Sequence, residues 1–220
     1  MTFGRASRGR RQAALLALLP ALCWLSACSR AVEGEPTAAP TASLPGSPEE
    51  LEELIVDDVA SALPRLPDEE LQPPAGAKRV EDVAGYSDDP ARERKILQDY
   101  GYRQGWERFW GEGTGPITGV FVDQFRSRAG AGAYAEDLAG NDAERYRGQM
   151  QENPPHLPGG CRMLTVDDAE SAGLDGPAAL VWCGHGRFSV SVTAVAGDVG
   201  AAEEEVRAVL AEQLDRLPRG

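Results

Sequence analysis

A chain of 220 residues accommodates one ordinary domain with appendages and excludes two large ones. Its 35 acidic residues against 22 basic ones leave a net charge of −13; such a surface repels phosphate backbones and excludes nucleic acid as a partner. The positive charge is unevenly placed: residues 1–27 carry Arg5, Arg8, Arg10 and Arg11 and no acid, so without them 18 basic residues face 35 acidic ones, a net of −17.

Met1–Gln12 is a basic leader, and Ala13–Ala27 is an apolar run of 15 residues interrupted by Pro20. A bilayer-spanning helix needs roughly 20 apolar residues. The run is too short for an anchor and reads as the core of a signal peptide over residues 1–27, rather than as a buried helix. Leu25-Ser26-Ala27-Cys28 then resembles the lipobox of bacterial lipoproteins. That resemblance implies diacylglyceryl transfer to the Cys28 thiol, cleavage just before it, and a fatty-acylated first residue (palmitate among the chains) on the outer side of the cell membrane. Each buried methylene contributes about 0.8 kcal/mol, so two or three acyl chains hold the protein there durably. Arg10-Arg11 points to twin-arginine export, but Gln12-Ala13-Ala14 lacks the rest of that signature, so both export routes stay open.

Of the four cysteines, Cys23 leaves with the leader and Cys28 takes the lipid under this reading. Cys161 and Cys183 remain, on strands able to neighbour one another, and an exported chain permits them to pair. The alternative is two free buried thiols.

Residues 28–46 are rich in Ala, Pro, Thr and Ser without apolar periodicity, which predicts a disordered tether. Ser29–Gly46 would span about 23 Å as a flexible coil. Ser47-Pro48-Glu49-Glu50 then carries a cap, a first-turn proline and a capping-box acid. Leu51, Leu54, Ile55, Val59 and Leu63 follow at helical spacing, which predicts an acidic amphipathic helix over 47–63. Its stripe docks either on its own domain, the reading preferred, or on a partner.

The globular domain is read over 76–220. Asp89-Pro90 opens a helix that Gly101 stops; strands follow at Tyr102–Trp110 and Ile117–Phe125. Ser127 caps a helix bearing Ala131, Tyr134 and Leu138, and "NPPHLPGG" breaks the chain before a strand at Cys161–Val166. Ala179–Cys183 and Arg187–Val195 form a hairpin around Gly184-His185-Gly186, and Asp198 caps the last helix. In the last strand Phe188, Val190 and Val192 alternate with Ser189, Ser191 and Thr193, which predicts one packed and one wetter face. The fold class is therefore α+β: a twisted antiparallel sheet of about five strands with helices packed on one face.

Chemistry is sparse. His156 sits among prolines and His185 at a hairpin tip, neither with a second ligand at metal spacing. "DDAESAGLDG" puts Asp168, Glu170 and Gly173 at calcium-loop places, but Ala172 and Ala179 occupy the fifth and twelfth, where the bidentate acid is needed. "GEGTGP" lacks the lysine of a phosphate loop, and no serine lies in a nucleophile elbow. No catalytic residue, metal or cofactor is assigned. The best candidate binding surface is Tyr102, Trp106, Arg108 and Trp110, with Phe109 beside them. The fourfold spacing of Tyr102, Trp106 and Trp110 suits one face of a strand or a helix, with the glycines favouring strand. Core filling is the plainer explanation in a chain with 6% aromatics.

The run "LVWCGHGRFSVSVTAVAGDVGAAEEEVRAVLAEQLDRLP", with "GVFVDQFRSRAGAGAYAEDLA" before it, resembles the extracellular sensor domain of mycobacterial serine/threonine kinases and related actinobacterial lipoproteins over about residues 100–220. A similar order of elements occurs in small lipoproteins of the photosystem-accessory type. The kinase resemblance implies a twisted antiparallel sheet, a helix on its face and a groove between them that binds a ligand. It departs in the disulfides, two there and one here, and in having no kinase before the domain. The expected function is a membrane-anchored, non-catalytic module that binds a small ligand or an envelope protein. The rivals are an accessory envelope protein docking through the acidic helix, and a cell-wall enzyme.

Overall fold

Ser47, Asp89, Ser127 and Asp198 each precede a helix, and each side chain accepts the backbone N–H three residues on, at 3.3, 3.1, 3.1 and 2.9 Å. These bonds satisfy donors that a helix start leaves free, so the four caps fix where the helices begin. The helices are α1 Pro48–Glu52, α2 Val80–Ala84, α3 Pro90–Tyr100, α4 Arg128–Tyr146 and α5 Val199–Arg216. Gly101 ends α3 at φ 85°, a conformation that favours glycine. The computed structural model describes residues 43–112, 114–168 and 172–219. The leader, Cys28 and residues 28–42 of the expected tether lie outside the described residues, as does Glu170 of the calcium-like loop.

Seven strands form one antiparallel sheet: β1 Gly76–Lys78, β2 Tyr102–Gly111, β3 Ile117–Phe125, β4 Gln149–Glu152, β5 Arg162–Val166, β6 Ala178–His185 and β7 Phe188–Val195, in the order β1-β2-β3-β7-β6-β5-β4. The α+β class holds, with seven strands in place of the expected five. The additional two, β1 and β4, sit at the edges and are three and four residues long, too short to show a period. Two meanders meet in the middle, where β3 pairs with β7 from Ile117↔Val195 to Gln124↔Phe188.

Helices cover both faces of the sheet, which corrects the expectation of one. Val181, Cys183, Val190 and Val192 pack with Val206, Val209 and Leu210 of α5. The alternate residues Leu180 and Trp182 pack with Ala135 and Ala139 of α4, and Phe125 packs with Ala131 and Tyr134. Strand side chains alternate between faces, so neighbours in sequence belong to different cores. The face bearing Ser189 and Ser191, expected to be wetter, is also buried beneath α4.

Residues 47–63 are not one helix. The chain leaves α1 after Glu52, and the backbone of 54–57 takes its partners from distant side chains. Gln213 accepts the Val56 N–H at 3.1 Å and donates to the Leu54 carbonyl at 2.8 Å, Arg108 donates to the Val56 carbonyl at 2.9 Å, and Arg216 to that of Ile55 at 2.9 Å. Local propensity yields to these tertiary bonds. The predicted stripe nonetheless docks on its own domain: Leu51, Ile55, Val56 and Val59 are core residues under α5. Leu44 packs on the same core and Gly46 N–H bonds Glu50, so the end of the expected tether belongs to the folded body. No helix among the described residues is long and apolar enough to cross a membrane.

Candidate functional site

The four residues expected to form a binding surface are buried, and they do not share a face. β2 carries a bulge between Tyr102 and Gln104, where Tyr102 opposes Phe125 and Gln104 opposes Gln124. One extra residue reverses the side-chain alternation. Tyr102 therefore stands on the α4 side, edge-on to Phe125 at 5.6 Å, while Trp106 and Trp110 stand on the α5 side. Arg108 is 3% exposed and serves the backbone of residues 55–56 and Glu52; the Trp110 indole N–H donates to the Asp57 carbonyl at 3.3 Å. Phe109, on the opposite face, meets Phe121 edge-on at 5.3 Å. The plainer explanation, core filling, describes this set. Cys161 and Cys183 do form a disulfide, which joins the segment before β5 to β6.

A concave site lies elsewhere, between α4 and the sheet. β7 presents the small side chains Ser191 and Thr193 there, α4 presents Tyr134, Leu138, Asp142 and Tyr146, and the space between them is a groove of about 220 Å³. Tyr134, Tyr146 and Trp182 wall it, Tyr86 stands at its rim at 48% exposure, and Glu107, Asp123 and Asp142 supply its charge. Aromatic walls with a few polar groups are what a small-ligand site requires.

The acids are linked through side chains from three strands. Glu107 on β2 pairs with Lys78 on β1 at 3.2 Å and accepts the Tyr86 hydroxyl at 2.9 Å. The Tyr102 hydroxyl donates to the Lys78 carbonyl at 3.3 Å and lies beside the Asp123 carboxyl on β3. Tyr102 reaches it because Gly105 has no side chain: a Cβ there would collide with the Asp123 carboxylate and the Tyr102 hydroxyl. Burial, and then the neighbouring Glu107, pushes the Asp123 carboxyl up to about 7. Burial alone pushes Asp142 up to about 6, and Glu107 is raised by burial against the pull of Lys78. Carboxyls displaced this far, at the wall of a cleft, mark a functional-site candidate.

Sequence reading passed over these acids because they are spread over β2, β3 and α4. One signal was present: Asp123 interrupts the apolar strand "GVFVDQF" at a position that faces inward once both faces of the sheet are covered. His156 and His185 line a different cleft, away from the three acids. Among the described residues no group of three or more His, Cys, Asp or Glu is placed to hold a metal ion.

No protein-family model matches the chain, and no curated protein is similar to it at a significant level. Among solved structures, the extracellular domain of PknH from Mycobacterium tuberculosis is similar, with 12% sequence identity, coverage of 79% of this chain and 98% of that one, and a TM-score of 0.47.

Proposed function

We propose that this chain is a lipid-anchored, extracytoplasmic, non-catalytic binding module that holds a small ligand in the groove between α4 and the sheet. The observation that carries the reading is the pair Glu107 and Asp123, buried carboxylates facing a cavity walled by Tyr134 and Trp182. Glu107, Asp123 and Asp142 outnumber the cations beside them, Lys78 at Glu107 and Arg145 at Asp142; a bound cation would favour the ionised form of the raised carboxyls, and tyrosine and tryptophan faces attract cations. The site suits a compact ligand with an apolar body and an ammonium group. Glu107 already accepts from Tyr86 and pairs with Lys78, and Asp123 lies beside the Tyr102 hydroxyl, an arrangement that suits holding a ligand. The rival docking role loses its surface, because the stripe Leu51, Ile55 and Val59 is core.

The anchor rests on the lipobox at Cys28, and the outward location also on the Cys161–Cys183 bond, which persists in oxidising compartments. Cys28→Ala is expected to move the protein out of the membrane fraction; an unchanged fraction overturns the anchor. Binding is tested by calorimetric titration with a panel of primary and quaternary ammonium compounds. At least one is expected to bind, and Asp123→Asn and Trp182→Leu are expected to weaken it about tenfold. Equal binding by the folded variants overturns the assignment to the groove.

A further inference from the structure

The two histidines of the chain line one cleft, of about 470 Å³, that shares no residue with the α4 groove. We propose that this cleft binds the oxyanion end, phosphate or carboxylate, of a small ligand, between Arg128 and Arg219 and against His156 and His185. The inference goes beyond the role given to the groove and stands without it.

Four separate features bring these cations together. Gly184, just before His185, abuts Gly132 in the first turn of α4, where a Cβ would meet the Gly132 Cα at 3.0 Å; that contact sets His185 beside Arg128. The Leu217 carbonyl lies against the His185 ring and favours its charged form, and Arg219, two residues on, lines the same wall. The disulfide joins Cys183, two residues before His185, to Cys161, five residues after His156, so the two histidine-bearing segments are tied at one place. His156 itself sits at φ 71° in the proline-rich loop. Leu210 and Leu214 of α5 form an apolar floor.

Charge and unused hydrogen-bonding capacity then point to an anion. In a molecule of net charge −13, several arginines are engaged by acids: Arg108 with Glu52, Arg162 with Glu136, Arg207 with Glu203, Arg216 with Asp57. Arg128 and Arg219 have no ion pair among the described residues, and both are exposed. Among the described residues, the one acid on the cleft wall is Asp215. The His185 Nε2 is buried and has no hydrogen-bond partner, an orphan position that buried polar atoms rarely keep. Burial holds the ring below the ordinary histidine range, with Arg219 and Arg128 acting in the same direction; an anion between them would relieve that repulsion and favour the protonated ring, in which Nε2 becomes a donor to the anion. Arginine pairs bind phosphate and carboxylate in forked, charge-assisted geometry. The volume exceeds that of a bare ion and fits a ligand with an apolar body on Leu210 and Leu214.

The test exploits the histidine count. With both histidines at the cleft, the imidazole carbon-bound proton resonances of the full chain in detergent micelles report on this site alone. Inorganic phosphate at constant pH and ionic strength is expected to shift both resonances saturably, whereas chloride does not. Arg128→Gln and Arg219→Gln are each expected to weaken the phosphate response at least about tenfold, and the exposed Arg103→Gln to leave it unchanged. Vesicles carrying phosphatidic acid, compared with neutral vesicles, decide whether a lipid headgroup also supplies the phosphate. A shift with either source supports the site and assigns its source. No saturable shift with either, an equal response to chloride, or wild-type responses from both arginine variants overturns the proposal. None of these readouts depends on Asp123 or the ammonium panel.

Discussion

The side-chain amide of Gln213 accepts the backbone N–H of Val56 at 3.1 Å, although 157 residues of sequence separate them. The same amide donates to Leu54, so one side chain on α5 replaces two hydrogen bonds that a continued helix would have made. Gln213 is fully buried, and its loss strands both backbone groups without water. Gln213→Ala is expected to destabilise the domain by about 2–3 kcal/mol in urea unfolding. Glu212→Ala next to it removes only an exposed pair with Arg216 and should cost less than about 0.5 kcal/mol. Equal effects would show that the segment 54–57 is not held by this amide.

Closing a 22-residue separation, the Cys161–Cys183 bond restricts the unfolded chain. The double variant Cys161→Ala/Cys183→Ala should lose about 3 kcal/mol, measured as a lower denaturant midpoint, and reducing agent should lower the wild type by a similar amount. A reductant-insensitive midpoint would mean that the bond contributes nothing to stability.

Within α4, two glycines two residues apart should respond in opposite directions. A Cβ on Gly130 would collide with the Tyr100 carbonyl at the end of α3, while a Cβ on Gly132 meets nothing within 4 Å. Gly130→Ala is expected to destabilise by roughly 2 kcal/mol through displaced backbone. Gly132→Ala should stabilise by about 0.5–1 kcal/mol, the helix propensity difference between the two residues. Thermal unfolding of the two variants distinguishes them, and a stabilised Gly130→Ala would contradict the α3–α4 contact.

Stability should fall as pH rises. Asp123, at about 7 when folded against an ordinary 3.8, binds a proton in the folded state across a window where the unfolded chain has released it. Unfolding then releases protons, so the free energy of unfolding declines between about pH 4 and pH 7 and levels off above. Asp142 and Glu107 are raised too and act in the same direction. Asp123→Asn should flatten this slope and stabilise the protein at pH 8 by on the order of 2 kcal/mol. Urea midpoints measured from pH 4.5 to 8 decide it; a stability that climbs through this range would refute a buried, protonated Asp123.

What the sequence discloses and what it hides divide along physical lines. Caps, glycine stops and period-two strands act over a few residues, and Ser127, Gly101 and Ile117–Phe125 are found where those signals put them. The length of α1 is decided by Gln213, Arg108 and Arg216, partners no local window contains. The bulge after Tyr102 separates that tyrosine from Trp106, and nothing in its fourfold spacing announces the extra residue. The groove is assembled from β2, β3, β6, β7 and α4, so its acids become a group only once the strand order is known. A domain poor in large aromatics spends Trp106 and Trp110 on its core, and the expected binding surface dissolves into packing.

The strand order has a consequence for how such a chain is threaded. β7 is the last strand made, yet it lies at the centre, and β3 keeps an open hydrogen-bonding edge until β7 arrives. A polypeptide delivered amino end first through a narrow conduit would be unable to finish its sheet while any of that strand was still inside. The pairings that unite its halves span long sequence separations and form late. For a chain exported in that way, premature locking during passage would be avoided, and assembly would wait for the carboxyl end to emerge.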